Sequence, residues 1–115
     1  MELPVQLLGF ILLIHFLADF ALQTHEQASK KSSSLVHLHH HVMSYSLTWL
    51  FAIWIWTSNI ESALVFWVIT YAAHFATDFV TSRVAKIYFD QQDYHNGFVV
   101  VGADQVLHYI QLVLT

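Results

Sequence analysis

The sequence predicts an all-α fold, a four-helix up-down-up-down transmembrane bundle, and three observations lead there. Hydrophobic residues make up 57% of the chain and charged residues only 10%, against roughly 25% charged in ordinary soluble domains. Four long apolar segments follow one another: Leu3–Leu22, about Leu35–Trp56, about Ile60–Val80 and about Gly97–Leu114. One Pro and three Gly leave little material for turns. The 115 residues suit a single domain, residues 1–115.

Each segment is close to the roughly 20 residues that cross a bilayer core. A soluble bundle would carry charge along the outer face of every helix, yet Val42–Trp56 and Ala63–His74 hold none. The first segment is interrupted only by Gln6, His15 and Asp19, and the second starts histidine-rich and ends wholly apolar. Ser58–Asn59–Ile60–Glu61 has the form of a capping box, so Ser58 is the expected N-cap of the third helix and the hairpin there is tight. Thr24–Ser34 and Asp90–Asn96 are polar and are expected as loops, with Asn96–Gly97 a turn before the fourth helix.

Lys30, Lys31, Arg83 and Lys86 all fall on the side of the two longer loops. Basic residues concentrate on the cytoplasmic side, which puts both termini outside, or periplasmic, and the two longer loops in the cytoplasm. The start of the chain has no basic stretch and no small-residue cleavage site, so no removable signal peptide is expected. Trp49, Trp54, Trp56 and Trp67 are expected to face lipid or the interfacial belt. Ala72 and Ala76 are expected to allow close helix packing.

Composition also narrows function. The absence of Cys excludes disulfides, thiolate metal sites and Cys nucleophiles. A net charge of −4 with four Lys+Arg excludes a nucleic-acid binder. There is no Gly-rich phosphate loop and no His-Glu-x-x-His zinc-protease motif. Nine histidines in so short a chain require an explanation.

Titratable groups inside a membrane span are costly, so by default they point to a site. His15 and Asp19, His37 and His41, His74 and Asp78, and Asp104 and His108 are each spaced i,i+4, on one face of their helix. Tyr45 extends the second stripe, as a packing or interfacial aromatic. The pairs lie late, early, late and early in successive helices, which in an up-down-up-down bundle is one level, near the cytoplasmic face. His15-Phe-Leu-Ala-Asp-Phe20 also echoes His74-Phe-Ala-Thr-Asp-Phe79, a pseudo-repeat of two helix hairpins. His39 reads as interfacial, and His25 and His95 as solvated.

Neutral imidazole with carboxylate oxygen suits Zn²⁺, Fe²⁺ or Mn²⁺. The candidate ligands are His15, Asp19, His41, His74, Asp78, Asp104 and His108, enough for one or two divalent ions, Zn first among them. A proton relay and a hydrogen-bonded structural core are the alternatives from the same residues.

His15-Phe-Leu-Ala-Asp19-Phe-x-Leu-Gln23, His41-Val-x-x-Tyr45, His74-x-x-x-Asp78 and Asp104-Gln105-x-x-His108 resemble the small bacterial and phage membrane proteins grouped as DUF3307, over nearly the whole chain. The resemblance implies the membrane class and these site residues, and adds Gln23 and Gln105 as hydrogen-bond partners of the ligands. A weaker likeness, in residue type only, is to inner-membrane metal-dependent hydrolases.

Three function classes follow. A metal-dependent hydrolase would use metal-bound water, with Asp19 or Asp104 as the catalytic carboxylate, on an amphiphilic substrate such as a lipid phosphate. A non-enzymatic scaffold would use the same cluster to hold its helices and present a surface to a host membrane protein or a second copy. A transporter would need polar groups across the whole thickness, and the outer half offers little beyond Gln6 and Gln111.

Overall fold

A helix begins where Pro4 fixes the chain direction: α1 (Val5–Phe16) runs from it without a side-chain cap. The computed structural model describes residues 4–115, apart from the side chains of His25, Glu26 and Ala28. The first three residues, and the reading of His25 as solvated, therefore lie outside the described part. After Phe16 the helix widens into a π-helical turn, Leu17–Ala21, where Leu22 N–H donates to Leu17 O at 2.8 Å. Asp19 sits within that turn.

The expected polar loop is partly helical. Thr24 caps α2 (His25–Lys30), accepting from Gln27 N–H while the Gln27 side chain accepts from Thr24 N–H. This reciprocal pair is a capping box. Ser34 then caps α3 (Leu35–Thr57). α4 (Ile60–Asp90) follows almost at once. Its N-cap is Asn59, accepting from Ser62 N–H, and not Ser58. Ser58 instead takes the left-handed conformation, φ 55°, that ends α3. The tight hairpin is as expected, but the cap is shifted by one residue.

α4 does not stop near Val80. It runs on through Arg83 and Lys86 to Asp90, 31 residues in all. α5 (Tyr94–Leu114) begins three residues before Gly97, because Asp93 accepts from Asn96 N–H and caps it there. Asn96–Gly97 is thus helical rather than a turn. Gly97 serves close packing: a Cβ there would lie 2.6 Å from the Phe89 ring.

Neighbouring helices are antiparallel. Phe10 meets Trp49 and His15 meets Tyr45 across α1 and α3. Trp49 meets Phe66 across α3 and α4, and Gln111 meets Thr70 across α5 and α4. α4 packs against both α3 and α5; α1 touches α3 and α5 and lies diagonally across from α4. The described residues form helices and turns with no strand. Two helices, α4 and α5, are long and apolar enough to cross a membrane.

Ile11, Ala18, Tyr45, Trp49, Ala52, Phe66 and Leu112 form the apolar core. Two expectations fail here. Trp49 is fully buried, because it points inward along the same stripe as Tyr45 and His41, while Trp54 and Trp56 are exposed as expected. Trp67 is half-buried and donates to Ser46 Oγ at 3.1 Å. Ala72 and Ala76 face outward, since His74 and Asp78 take the inner face of that stretch of α4.

Candidate metal centre

The buried polar residues gather at one end of the bundle, under the α2 connector. His15, His41, His74, Asp78 and His108 are each at most 1% exposed, Asp19 3% and Asp104 7%. Burying so many polar groups is costly unless each finds a partner or a cation. The helical i,i+4 spacing brings His15 with Asp19, His74 with Asp78 and Asp104 with His108 inward; of His37 and His41 only His41 is buried, and antiparallel packing puts these residues at one level.

Four of these residues form the tightest group. His41 Nε2 lies 3.1 Å from Asp19 Oδ1 and 3.1 Å from Asp78 Oδ2. His74 Nε2 lies 3.2 Å from His41 Nε2, 3.4 Å from Asp78 Oδ2 and 3.8 Å from Asp19 Oδ1. An ion at about 2.0–2.1 Å from nitrogen and oxygen ligands in tetrahedral array would set them about 3.3–3.4 Å apart. Asp19 Oδ1 is buried with no hydrogen-bond partner despite its nearness to His41. A buried carboxylate oxygen left without a donor is the position a cation fills.

A second group shares Asp19. Asp19, Asp104 and His108 can turn ligand atoms within 4.8 Å of one another. His108 Nε2 lies 3.1 Å from Asp104 Oδ2 and 3.2 Å from Asp78 Oδ1. Asp78 therefore reaches both groups, one oxygen to each. The rings are clamped by stacking: His74 is sandwiched between Tyr45 at 3.8 Å and His108 at 4.0 Å, centroid to centroid.

His15 belongs to neither group. Its Nε2 faces Gln105 Oε1 at 2.6 Å and its Nδ1 faces the Tyr45 hydroxyl at 2.9 Å. Gln105 Nε2 donates to Asp104 Oδ2 at 3.1 Å, which turns its carbonyl oxygen toward His15. His15 Nε2 must then carry the proton, and its Nδ1 accepts from Tyr45. His15 Nε2 also lies 3.4 Å from Asp19 Oδ2, so His15 borders the cluster while contacting Asp104 through Gln105. His37 stays with its own helix start, Nδ1 against Ser34 Oγ at 2.8 Å, and exposed His39 meets the Tyr71 hydroxyl.

Three contributors stand closer to the site than the sequence indicated: Lys31, a topology marker or an attractor of an anionic headgroup by sequence, Tyr45, a packing or interfacial aromatic, and Thr81, which had no reading. Lys31 Nζ reaches Asp78 Oδ2 at 3.3 Å with its side chain only 20% exposed. Burial lowers its proton affinity, but the carboxylates of Asp78, Asp19 and Asp104 outweigh that and hold the ammonium above its ordinary pKa. Thr81 Oγ donates to Asp104 Oδ1. Tyr45 orients His15 besides packing. The signal for Lys31 was present in the capping box Thr24–Gln27, which shows that the connector folds.

A cavity of about 370 Å³ reaches the centre from the connector side, lined by Asp19, Asp78 and Asp104 with Lys31 and Gln23. Of the four basic residues, Lys31 and Lys86 line it. Lys86 is paired with Asp90 at 2.7 Å. Arg83 donates to Phe79 O and lies over the Phe79 ring.

Fold and site together define an all-α bundle with a buried His/Asp cluster able to hold a metal ion. The model of DUF3307, a protein family of unknown function, matches residues 7–115, and the chain belongs to that family. No curated protein and no solved structure matches it.

Proposed function

We propose that this chain is a four-span membrane protein of the bacterial inner membrane, with both termini periplasmic and a divalent-metal centre near the cytoplasmic face, acting as a hydrolase on an amphiphilic lipid-phosphate substrate. The observation that carries the metal is the set of separations among His41, His74, Asp19 and Asp78, 3.1 to 3.8 Å, around a carboxylate oxygen with no donor. Two imidazole nitrogens and two carboxylate oxygens in tetrahedral array suit Zn²⁺.

The surface supports the membrane part. Only 28% of the most apolar stretch of α4 is buried, whereas the core helix of a soluble protein would be mostly covered. Val65, Val68, Ile55 and Phe98 are each more than 60% exposed. Apolar surface of that extent in water would drive association; in lipid it is the expected outer face. The basic residues Lys31 and Lys86 sit at the centre's end of the bundle, as a cytoplasmic placement of that end requires.

The hydrolase part rests on the cavity that opens onto the carboxylates. A bound divalent ion supplies an activated water at neutral pH. Asp19 and Asp104 line the cavity and are the carboxylates placed to take a proton there. One observation favours a second reading, a scaffold: four protein ligands close a tetrahedral site, the form of structural rather than catalytic metal.

Elemental analysis of detergent-purified protein, wild type beside Asp78→Ala, tests the centre. At least about one equivalent of transition metal in the wild type, lost in the variant, is expected for a site of this kind. Metal absent from the wild type, or fully retained in Asp78→Ala, would overturn it. Turnover of a short-chain lipid phosphate by metal-loaded protein separates hydrolase from scaffold, which predicts none.

A further inference from the structure

We propose a second divalent-cation site formed by Asp19, Asp104 and His108, which fills together with a phosphate group seated in the cavity beside Lys31. The inference rests on the metal centre proposed above and deepens it.

Ligand number separates the two groups. Asp19, His41, His74 and Asp78 make a closed set of four, whereas Asp19, Asp104 and His108 make three. Three protein ligands leave a position open for water or substrate. Asp19 and Asp104 line the cavity, as Asp78 of the first set does, and His41, His74 and His108 do not. The second set meets the cavity through both of its carboxylates, and we place its open position on that side. Asp19 is shared and only 3% exposed; its oxygen without a donor, Oδ1, is the one that faces His41 and His74. A carboxylate shared between two ions is how paired-metal centres in helical bundles are built.

Charge decides when the second ion enters. With its histidines neutral, as metal ligation requires, the centre holds three carboxylates, Asp19, Asp78 and Asp104, and one ammonium, Lys31. Lys86 and Asp90 cancel one another at the cavity rim. One divalent ion brings the centre to neutrality. A second would leave two uncompensated positive charges in a site of very low exposure, which is strongly disfavoured. A phosphate dianion removes both charges. It also supplies the missing fourth ligand, with the Lys31 ammonium and the Ser32 hydroxyl at the cavity to receive its other oxygens. Asp104 already accepts from Gln105, Thr81 and His108, so without the anion its set gains little by taking a cation.

The experiment is a Mn²⁺ titration of the full chain in phosphatidylcholine nanodiscs, with bound metal measured after equilibrium dialysis and coupled ion pairs read by electron paramagnetic resonance. Three arms are run: no added anion, inorganic phosphate, and nanodiscs containing phosphatidic acid. The expected result is one equivalent without anion and two with phosphate, the second ion tightened by at least about tenfold, an ordinary linkage between sites. A second equivalent with inorganic phosphate assigns the anion to the aqueous side; one seen only with phosphatidic acid assigns it to a lipid headgroup. Asp104→Asn should bind one ion in every arm, since Asp104 is outside the set of four. If that variant does not fold, the three wild-type arms decide alone. One equivalent in all arms overturns the second site and leaves the first standing. Two equivalents without anion overturn the coupling. None in any arm overturns the metal centre and this inference with it.

Discussion

At the connector end of the bundle, His41, His74 and Asp78 are buried beside Lys31; at the far end, Trp49 and Ala63 are buried just as completely among apolar side chains. The first set is held by polar contacts at fixed distance and direction. The second is held by area alone, which is non-directional. The consequence is visible in the gaps. The far end opens into a largely apolar cleft of about 770 Å³ bordered by Phe10, Trp49, Phe66 and Leu112, larger than the cleft of about 370 Å³ over the centre. Apolar contacts tolerate a loose fit there, whereas ligand separations near 3.3 Å do not. Precision is concentrated where each long helix contributes a His or Asp.

That contrast can be broken at either end. The largest effect is expected at the centre: Asp78→Ala removes the partner of His41, His74, His108 and Lys31 at once. Breaking a buried charge pair costs about 3–5 kcal/mol, so detergent thermal unfolding should show a loss near the top of that range. A variant as stable as the wild type would mean that the centre does not hold the bundle. Next is Trp49→Ala at the far end, where ring contacts to Phe10 and Phe66 disappear. We expect about 3 kcal/mol, the low end for such truncations, because a cleft already adjoins the ring. Its metal content should be unchanged, and a loss of metal would show that the two ends are not independent. Smallest is Gly97→Ala, whose methyl would strike the Phe89 ring. About 1–2 kcal/mol is expected from overpacking, relieved when Phe89→Ala is added; no relief would assign the cost elsewhere.

Much of this was legible in the sequence, and the misses share a cause. The pairs His15–Asp19, His74–Asp78 and Asp104–His108 were legible because the 3.6-residue period is local. The shared depth followed from alternating helix direction. Spacing put His15 among the candidate ligands but could not show its contacts to Gln105 and Tyr45, 90 and 30 residues away, beside its approach to Asp19. Lys31 was read as a topology marker because a basic residue in a connector usually has no other meaning. Its inward turn depends on α2, a helix of six residues. The π-helical turn at Leu17–Ala21 left no periodic signature, since one widened turn shifts a pattern less than composition blurs it. Trp49 was assigned to lipid by residue type, although its place on the His41–Tyr45 stripe pointed inward.

Sequence alone settled the four long helices, though not the short α2, and with them the face on which each His/Asp pair lies and the level at which the pairs converge. These follow from backbone period and chain direction, which no distant contact alters. Tertiary structure alone decided that Asp19, His41, His74 and Asp78 close one set while Asp19, Asp104 and His108 leave another open. It also decided that Lys31 stands among the carboxylates. Those outcomes are set to within an ångström by stacked rings, one widened helical turn and a folded connector, all of which exist only once the helices have packed.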